Sequence, residues 1–222
     1  PDLDLAEDGQ AEGSIFAHFA PYFLECDKGK TNLMELFAGE AGITHACDKR
    51  GLRCSKTVDL RMGTDLNTKE GQRKTWAKIL EQEPDVVFMA PLCAPWCNWS
   101  NMLPKWKRDK NQKAALPMIE FCMAVAYHQM KNGRWFIIEN PQGSKIWNLE
   151  DMVKLASFCS WGILDQCQYG LKDPESGKPY YKPTCLLHNL DPDLAKLLFV
   201  RCPDIKKHDH QIIEGAVLAR NR

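Results

Sequence analysis

A chain of 222 residues has room for one domain with a substantial core and little beyond it. Its 29 Lys and Arg balance 29 Asp and Glu, so net charge names no partner, and affinity for a polyanion has to come from a local patch. No apolar stretch reaches the roughly 20 residues that span a bilayer, which argues against a membrane-spanning helix.

Residues 1–13 are acidic with little periodicity and read as a loose lead-in, followed by a packing helix over 15–26. An alternation then begins. A strand is predicted over 32–37, a helix over 41–49 closed by Gly51, a strand over 52–58 and a helix over 70–82. The continuous apolar run 85–90 suits a buried parallel strand. A polar, basic loop follows over 94–111, then a helix over 113–131 stopped by Asn132-Gly133. The remaining elements are a strand over 135–138, a helix over 150–160, strands over 163–169 and 185–190 joined by turn residues 173–177, and a helix over 193–199. Strands alternating with helices predict an α/β fold, with a mostly parallel sheet covered on both faces. There is no internal repeat.

Ten cysteines are many for this length. With no secretory signal read and an enzyme-like α/β pattern, most are expected to be reduced, buried thiols in an intracellular protein, nuclear if the source is eukaryotic. The start at Pro1 fits a piece of a longer product.

Three features gather at predicted strand ends, where open α/β sheets collect their chemistry. The turn Phe37-Ala38-Gly39-Glu40-Ala41-Gly42 puts small residues between a strand and a helix, where backbone can approach a ligand. Asp59 follows Gly39 by about 20 residues, the position from which an acid meets ribose hydroxyls. Asp65 lies a little beyond, within reach of an adenine amino group. The turn is not Gly-x-Gly-x-x-Gly and no Walker lysine follows, which lowers the case for a dinucleotide or a nucleoside triphosphate. Cys93, in Ala90-Pro91-Leu92-Cys93-Ala94-Pro95, stands where the strand breaks off, and Glu139 closes the run Trp135-Phe136-Ile137-Ile138. An acid ending an apolar strand is costly unless it has a partner or a task.

Phe37-Ala38-Gly39 with Gly42, then Pro91-Leu92-Cys93, then Glu139-Asn140-Pro141 occur in the order of the DNA cytosine-5 methyltransferase family, and the chain resembles a diverged, minimal member. The stretch 165–170 with Lys182-Pro183-Thr184, and Cys202 with His208 and His210, resemble methyltransferase segments of retroelement polyproteins. The resemblance implies a Rossmann-like class I S-adenosylmethionine-dependent methyltransferase fold over 31–200. It leaves 1–30 as a lead-in and 201–222 as a Cys/His tail. It further implies Cys93 as nucleophile toward carbon 6 of cytosine and Glu139 at ring nitrogen 3. S-adenosylmethionine would be held by Phe37, Ala38, Gly39, Glu40, Gly42, Asp59, Asp65 and Pro91.

Three departures narrow that picture. The nucleophile follows Pro-Leu and precedes Ala94, where the family has Pro-Pro-Cys-Gln. The Gln-x-Arg-x-Arg segment is missing, Lys178 and Lys182 being the nearest basic residues. No separate target-recognition domain fits. DNA is the expected partner, with polyprotein neighbours or a separate targeting partner compensating for the missing domain. RNA cytosine methylation and a catalytically silent nucleic-acid-binding module stay open as alternatives. The expected nucleic-acid contacts are Ser100, Lys105, Lys107, Arg108, Lys110 and Lys182, with tryptophans nearby to stack on a base. Cys202, His208 and His210 have zinc-ligand types at close spacing. Structural zinc takes four ligands, and Cys167 is favoured over Cys185 as the fourth. A surface tail carrying histidines among lysines is the competing reading.

Overall fold

The computed structural model describes residues 31–203 and 209–211. The expected lead-in, the helix over 15–26 and His208 lie outside the described residues.

Five strands form one sheet in the order β1-β2-β3-β5-β4. β1 (Leu33–Leu36) and β2 (Val86–Met89) are buried at every residue; β2 is an unbroken apolar run, while β1 buries Glu35 among its apolar residues. β3 (Trp135–Pro141) pairs parallel to β2, which pairs parallel to β1. β5 (Pro183–His188) runs antiparallel between β3 and β4 (Ser160–Asp165), so four of the five strands point the same way.

The two-residue period of the strands sorts the core into two layers. Met34, Leu36, Val87, Met89, Phe136 and Ile138 face one way. They meet α2 (Lys69–Gln82), α3 (Lys105–Lys131) and α4 (Glu150–Ala156). Leu33, Val86, Phe88, Ile137, Leu164 and Leu186 face the other way, toward α1 (Gly42–Asp48) and α5 (Pro192–Leu198). The result is the expected Rossmann-like α/β sandwich covered on both faces, but its sheet is mixed rather than mostly parallel, with two parallel and two antiparallel strand pairs.

Several elements depart from expectation. Segment 52–58 touches β1 only at the bridges Leu33↔Cys54 and Leu36↔Val58. Between those bridges β1 advances three residues (33 to 36) and the segment four (54 to 58). One extra residue bulges out and breaks the ladder. The basic stretch expected to be a loop is helical from Lys105, with Pro104 at the N-cap. Lysine and arginine are good helix formers, and Lys105 pairs with Asp109 one turn on at 2.6 Å. α4 ends early because Ser160 already belongs to β4, and 166–169 is a 3-10 turn rather than strand. β3 extends to Pro141 because β5 pairs it there, Glu139 opposite Leu186 and Asn140 opposite Cys185.

The nine described cysteines are all free thiols, with Cys47, Cys122 and Cys185 buried.

Candidate active site

β2 and β3 lie side by side with Met89 opposite Ile138, so the turn after β2 and the last residues of β3 share one edge of the sheet. Asn140 fastens them: its Nδ2 donates to the Pro91 carbonyl at 2.8 Å, fully buried. Beyond Pro91 the chain folds back on itself, the Trp96 and Cys97 amides donating to the Cys93 carbonyl at 2.8 and 2.9 Å. Cys93 is left half-buried at the carboxyl edge.

Burial is the main cause that pushes the Cys93 thiol above its ordinary value, with Cys97 and Glu139 adding to the rise and Lys182 opposing it. Burial likewise raises the Glu139 carboxyl, again against Lys182. Cys93, Glu139 and Lys182 therefore share one electrostatic neighbourhood. Lys182 reaches it from the start of β5, held there by the Gln166 amide, which donates to the Lys182 carbonyl at 3.2 Å. Sequence reasoning placed Lys182 on a nucleic-acid surface. Only the antiparallel insertion of β5 beside β3 reveals its place next to the acid, and a strand pattern alone carries no sign of that insertion.

The second strand end is adjacent. The Ala90 amide donates to the Leu36 carbonyl at 3.2 Å, which sets the Phe37–Gly42 turn beside the Cys93 turn. Phe37, Gly39 and Ala41 all take the left-handed conformation, with φ of 59°, 54° and 56°. Two of them carry side chains, an unusual cost in so short a turn. The Phe37 amide donates to the Val58 carbonyl at 2.8 Å, and the Gly39 amide to Asp59 Oδ2 at 3.0 Å. Asp59 Oδ1 accepts from the Arg61 amide at 2.8 Å, and Arg61 pairs with Glu40. Glu35 supports the turn from inside, a role the sequence did not suggest. Its buried carboxylate accepts from the Thr44 amide at 2.9 Å and the Thr44 hydroxyl at 2.6 Å, pinning the start of α1. Burial raises the Glu35 carboxyl while the Thr44 bonds work the other way.

A cleft of about 690 Å³ opens here, lined by Gly39, Glu40, Ala41, Thr57, Met62 and Thr64 among others. Side chains added at Gly39 or Gly42 would meet nothing within 4 Å, so the backbone is open to a ligand. Neither Asp59 nor Asp65 is part of this lining. Asp65 is bonded locally instead. Its Oδ1 accepts from the Asn67 amide at 2.9 Å, and its carbonyl accepts from the Thr68 amide and hydroxyl at 3.1 and 2.8 Å.

Lys105, Lys107 and Lys110 are exposed on the first turns of α3, and Arg108 is half-buried. Trp99, Met102 and Trp106 stand in solvent close by, as does Leu92 in the Cys93 turn. This loop is held to the site: the Lys145 amide donates to the Trp96 carbonyl at 2.8 Å, and Lys145 Nζ donates to Asn101. Ser100 faces the other way. It is 3 % exposed beneath the 3-10 turn Asn98–Met102, so in this conformation it does not present its hydroxyl to a nucleic acid.

No protein-family model matches the chain, and no curated protein matches it in sequence. Among solved structures, a Listeria monocytogenes protein assigned to the class I S-adenosylmethionine-dependent methyltransferases is 16% identical. That likeness covers 95% of this chain and 68% of the other, with a TM-score of 0.38. The DszA carbon methyltransferase is 11% identical over 78% of this chain and 50% of its own, with a TM-score of 0.32. The chain thus spans half the length of the latter.

Proposed function

We propose that the protein transfers a methyl group from S-adenosylmethionine to carbon 5 of cytosine in DNA through a covalent Cys93 adduct. The observation that carries this reading is the meeting of Cys93, Glu139 and Lys182 at one sheet edge, beside a left-handed turn tied to Asp59. The turn residues Phe37–Gly42 with Asp59 would hold the cofactor. They fit it through open backbone at Gly39 and the Asp59 carboxylate bonded to the Gly39 amide, about 20 residues on, the spacing suited to ribose hydroxyls. Asp59, Asp65 and Pro91 all stand outside the cleft lining; Asp59 is joined to it through the Gly39 amide, and Pro91 is bonded to Asn140. When bound, the cofactor supplies an electrophilic methyl group.

The protein's own groups do the rest. Carbon 5 of cytosine is a poor nucleophile. Cys93 Sγ adds to carbon 6 as thiolate, and the electron pair of the 5,6 double bond moves so that carbon 5 becomes enamine-like. Glu139, its carboxyl raised by burial, donates a proton to ring nitrogen 3 and stabilises the charge that develops there. Lys182 favours the thiolate form of Cys93. Once carbon 5 carries the methyl, it loses its proton to water, the freed electron pair re-forms the 5,6 double bond and expels Cys93 as thiolate, and the nitrogen 3 proton returns to Glu139. A base inside a duplex is out of reach, so the target is flipped out or already single-stranded. Lys105, Lys107 and Lys110 supply phosphate contacts, and Trp99 and Trp106 supply stacking surfaces beside the nucleophile.

The test is incubation with labelled S-adenosylmethionine and duplex DNA, single-stranded DNA or RNA, with Cys93→Ala as control. Label in DNA that vanishes in C93A is the expected result, together with a denaturation-resistant adduct on 5-fluorocytosine DNA. Label confined to RNA moves the reading to RNA methylation. Cofactor binding with no transfer to any of the three leaves a silent binding module.

A further inference from the structure

On the far side of β5 from the Cys93 edge, three chain segments converge on soft ligand atoms. Cys167 belongs to the 3-10 turn Gln166–Tyr169 that follows β4. Cys202 lies beyond α5, where its amide donates to Asp165 Oδ2 at 2.8 Å and Arg201 Nε donates to the same oxygen at 2.8 Å. His210 sits on the last described segment. That segment is bound to the arm 178–181 by the Gln211 amide, which donates to the Pro179 carbonyl at 2.8 Å, and by the Lys178–Asp209 ion pair. The Tyr181 ring adds an edge contact to His210 at 5.5 Å.

One ligand atom from each of Cys167, Cys202 and His210 falls within 4.8 Å of the other two, and Cys202 Sγ stands 3.8 Å from His210 Nε2. Tetrahedral zinc with bonds of about 2.3 Å to sulfur and about 2.0 Å to nitrogen separates its ligand atoms by roughly 3.5–3.8 Å. Small side-chain adjustments therefore close the set around one ion. Two thiolates and an imidazole are a donor set that zinc favours over the hard cations, which take oxygen. A Cys167–Cys202 disulfide is the competing use of the two thiols, but it assigns no purpose to the imidazole brought in from a third segment.

We propose that Cys167, Cys202 and His210 ligate a structural zinc ion that clips the carboxyl-terminal segment to the arm leading into β5. The fourth position is left to water. The clip acts on the active-site edge through short links. Cys167 adjoins Gln166, whose amide holds the Lys182 carbonyl and whose side chain donates to Thr184 Oγ1 at 2.9 Å. His210 packs on Tyr181, the residue before Lys182. The ion is structural, not a participant in methyl transfer, so this proposal stands or falls separately from the proposed reaction.

The experiment uses the full chain, purified reduced and without chelator from zinc-supplemented cells. Elemental analysis is expected to find about one zinc per chain. Cobalt added to metal-stripped protein is expected to give the intense thiolate-to-metal absorption of tetrahedral sites, weaker in Cys202→Ser and in His210→Ala. Chelator is expected to lower the melting temperature of the wild type and zinc to restore it. Should Cys202→Ser fail to fold, wild-type stoichiometry and the cobalt spectrum still decide. Metal-free protein that shows no cobalt–thiolate absorption overturns the proposal, as does a Cys167–Cys202 disulfide mapped in protein isolated under non-reducing conditions.

Discussion

Burial raises the cost of negative charge at both Cys93 and Glu139, Glu139 adds to it at Cys93, and Lys182 is the cation that lowers both costs. The proposed chemistry asks for one negative charge there, with thiolate on sulfur and the proton on the carboxyl. The arrangement makes a signed prediction. Alkylation of Cys93 by iodoacetamide, followed on its own peptide by mass spectrometry, is expected to titrate above the ordinary thiol value of 9.0. Lys182→Gln moves that midpoint up and slows labelling near neutral pH. Glu139→Gln removes the negative charge that the carboxyl carries once it has ionised, and so moves the midpoint down in the alkaline range where Cys93 titrates; each change is about three- to tenfold, because a unit of pKa is a factor of ten in thiolate. Shifts of the same sign in the two variants, or no shift in either, would remove the electrostatic argument. At this scale the sequence showed two of the three partners. Cys93 and Glu139 each end an apolar run and so stand out against it. Lys182 sits among the turn residues 178–183 and looks like any solvated lysine until β5 is paired.

Helix α2 shows how an element fixes the loop in front of it. Thr68 caps it by accepting from the Gly71 amide at 3.1 Å, and Gly71 lies against the Asp65 backbone. A Cβ at position 71 would stand 2.0 Å from the Asp65 carbonyl oxygen and 2.6 Å from its carbon. Neither atom belongs to a side chain that can swing away, so the first turn of α2 would have to retreat from the Asp65–Thr68 turn. Gly71→Ala is therefore expected to destabilise by about 1–3 kcal/mol, despite alanine's better helix propensity. Gly42→Ala, with open space around its Cβ, is expected to stay within about 1 kcal/mol of wild type. Urea unfolding of the three proteins measures both, and equal midpoints for G71A and wild type would contradict the close packing. Element existence was largely legible because β1, β2 and β3 are apolar runs between helical periods. What escaped had no pattern to show. The start of α3 is polar apart from Trp106, so no apolar period marks Lys105–Asn111 as helix, and the bulge over 54–58 depends on one residue of register. The antiparallel place of β5 is a matter of topology, which strand composition does not encode.

Across the molecule, buried ionisable groups pull stability in opposite directions with pH. His188, on β5, is 1 % exposed and stacked on Phe199 at 5.3 Å. Its Nδ1 accepts from the Leu190 amide at 3.2 Å, which requires the proton on Nε2, a buried atom with no partner among the described residues. Burial drives its pKa from 6.5 down to about 4. A histidine depressed in the folded state contributes stability that is complete above its unfolded value and is lost as pH falls from 6.5 toward 4, in all about 3 kcal/mol. Glu35 and Glu139 behave oppositely. Their carboxyls are raised by burial, so the unfolded chain releases protons first, and stability falls as pH rises from 4.5 through the folded values. Acidification from neutrality therefore sets a loss at His188 against gains at the two acids. Two variants separate them. His188→Phe removes the histidine's loss, so its unfolding free energy relative to wild type increases steadily between pH 6.5 and 4.5. Glu139→Gln removes one carboxyl's gain, so its advantage over wild type is largest at neutral pH and shrinks on acidification. The slopes of these difference curves, measured by urea unfolding across pH 4.5–8, are the readout, because repacking against Phe199 changes the offset of His188→Phe but not its slope. Parallel curves for wild type and His188→Phe would mean that His188 is not held neutral in the core. A flat difference for Glu139→Gln would mean that the carboxyl beside Cys93 ionises as it does in water, and the proton it is proposed to lend to cytosine would not be there.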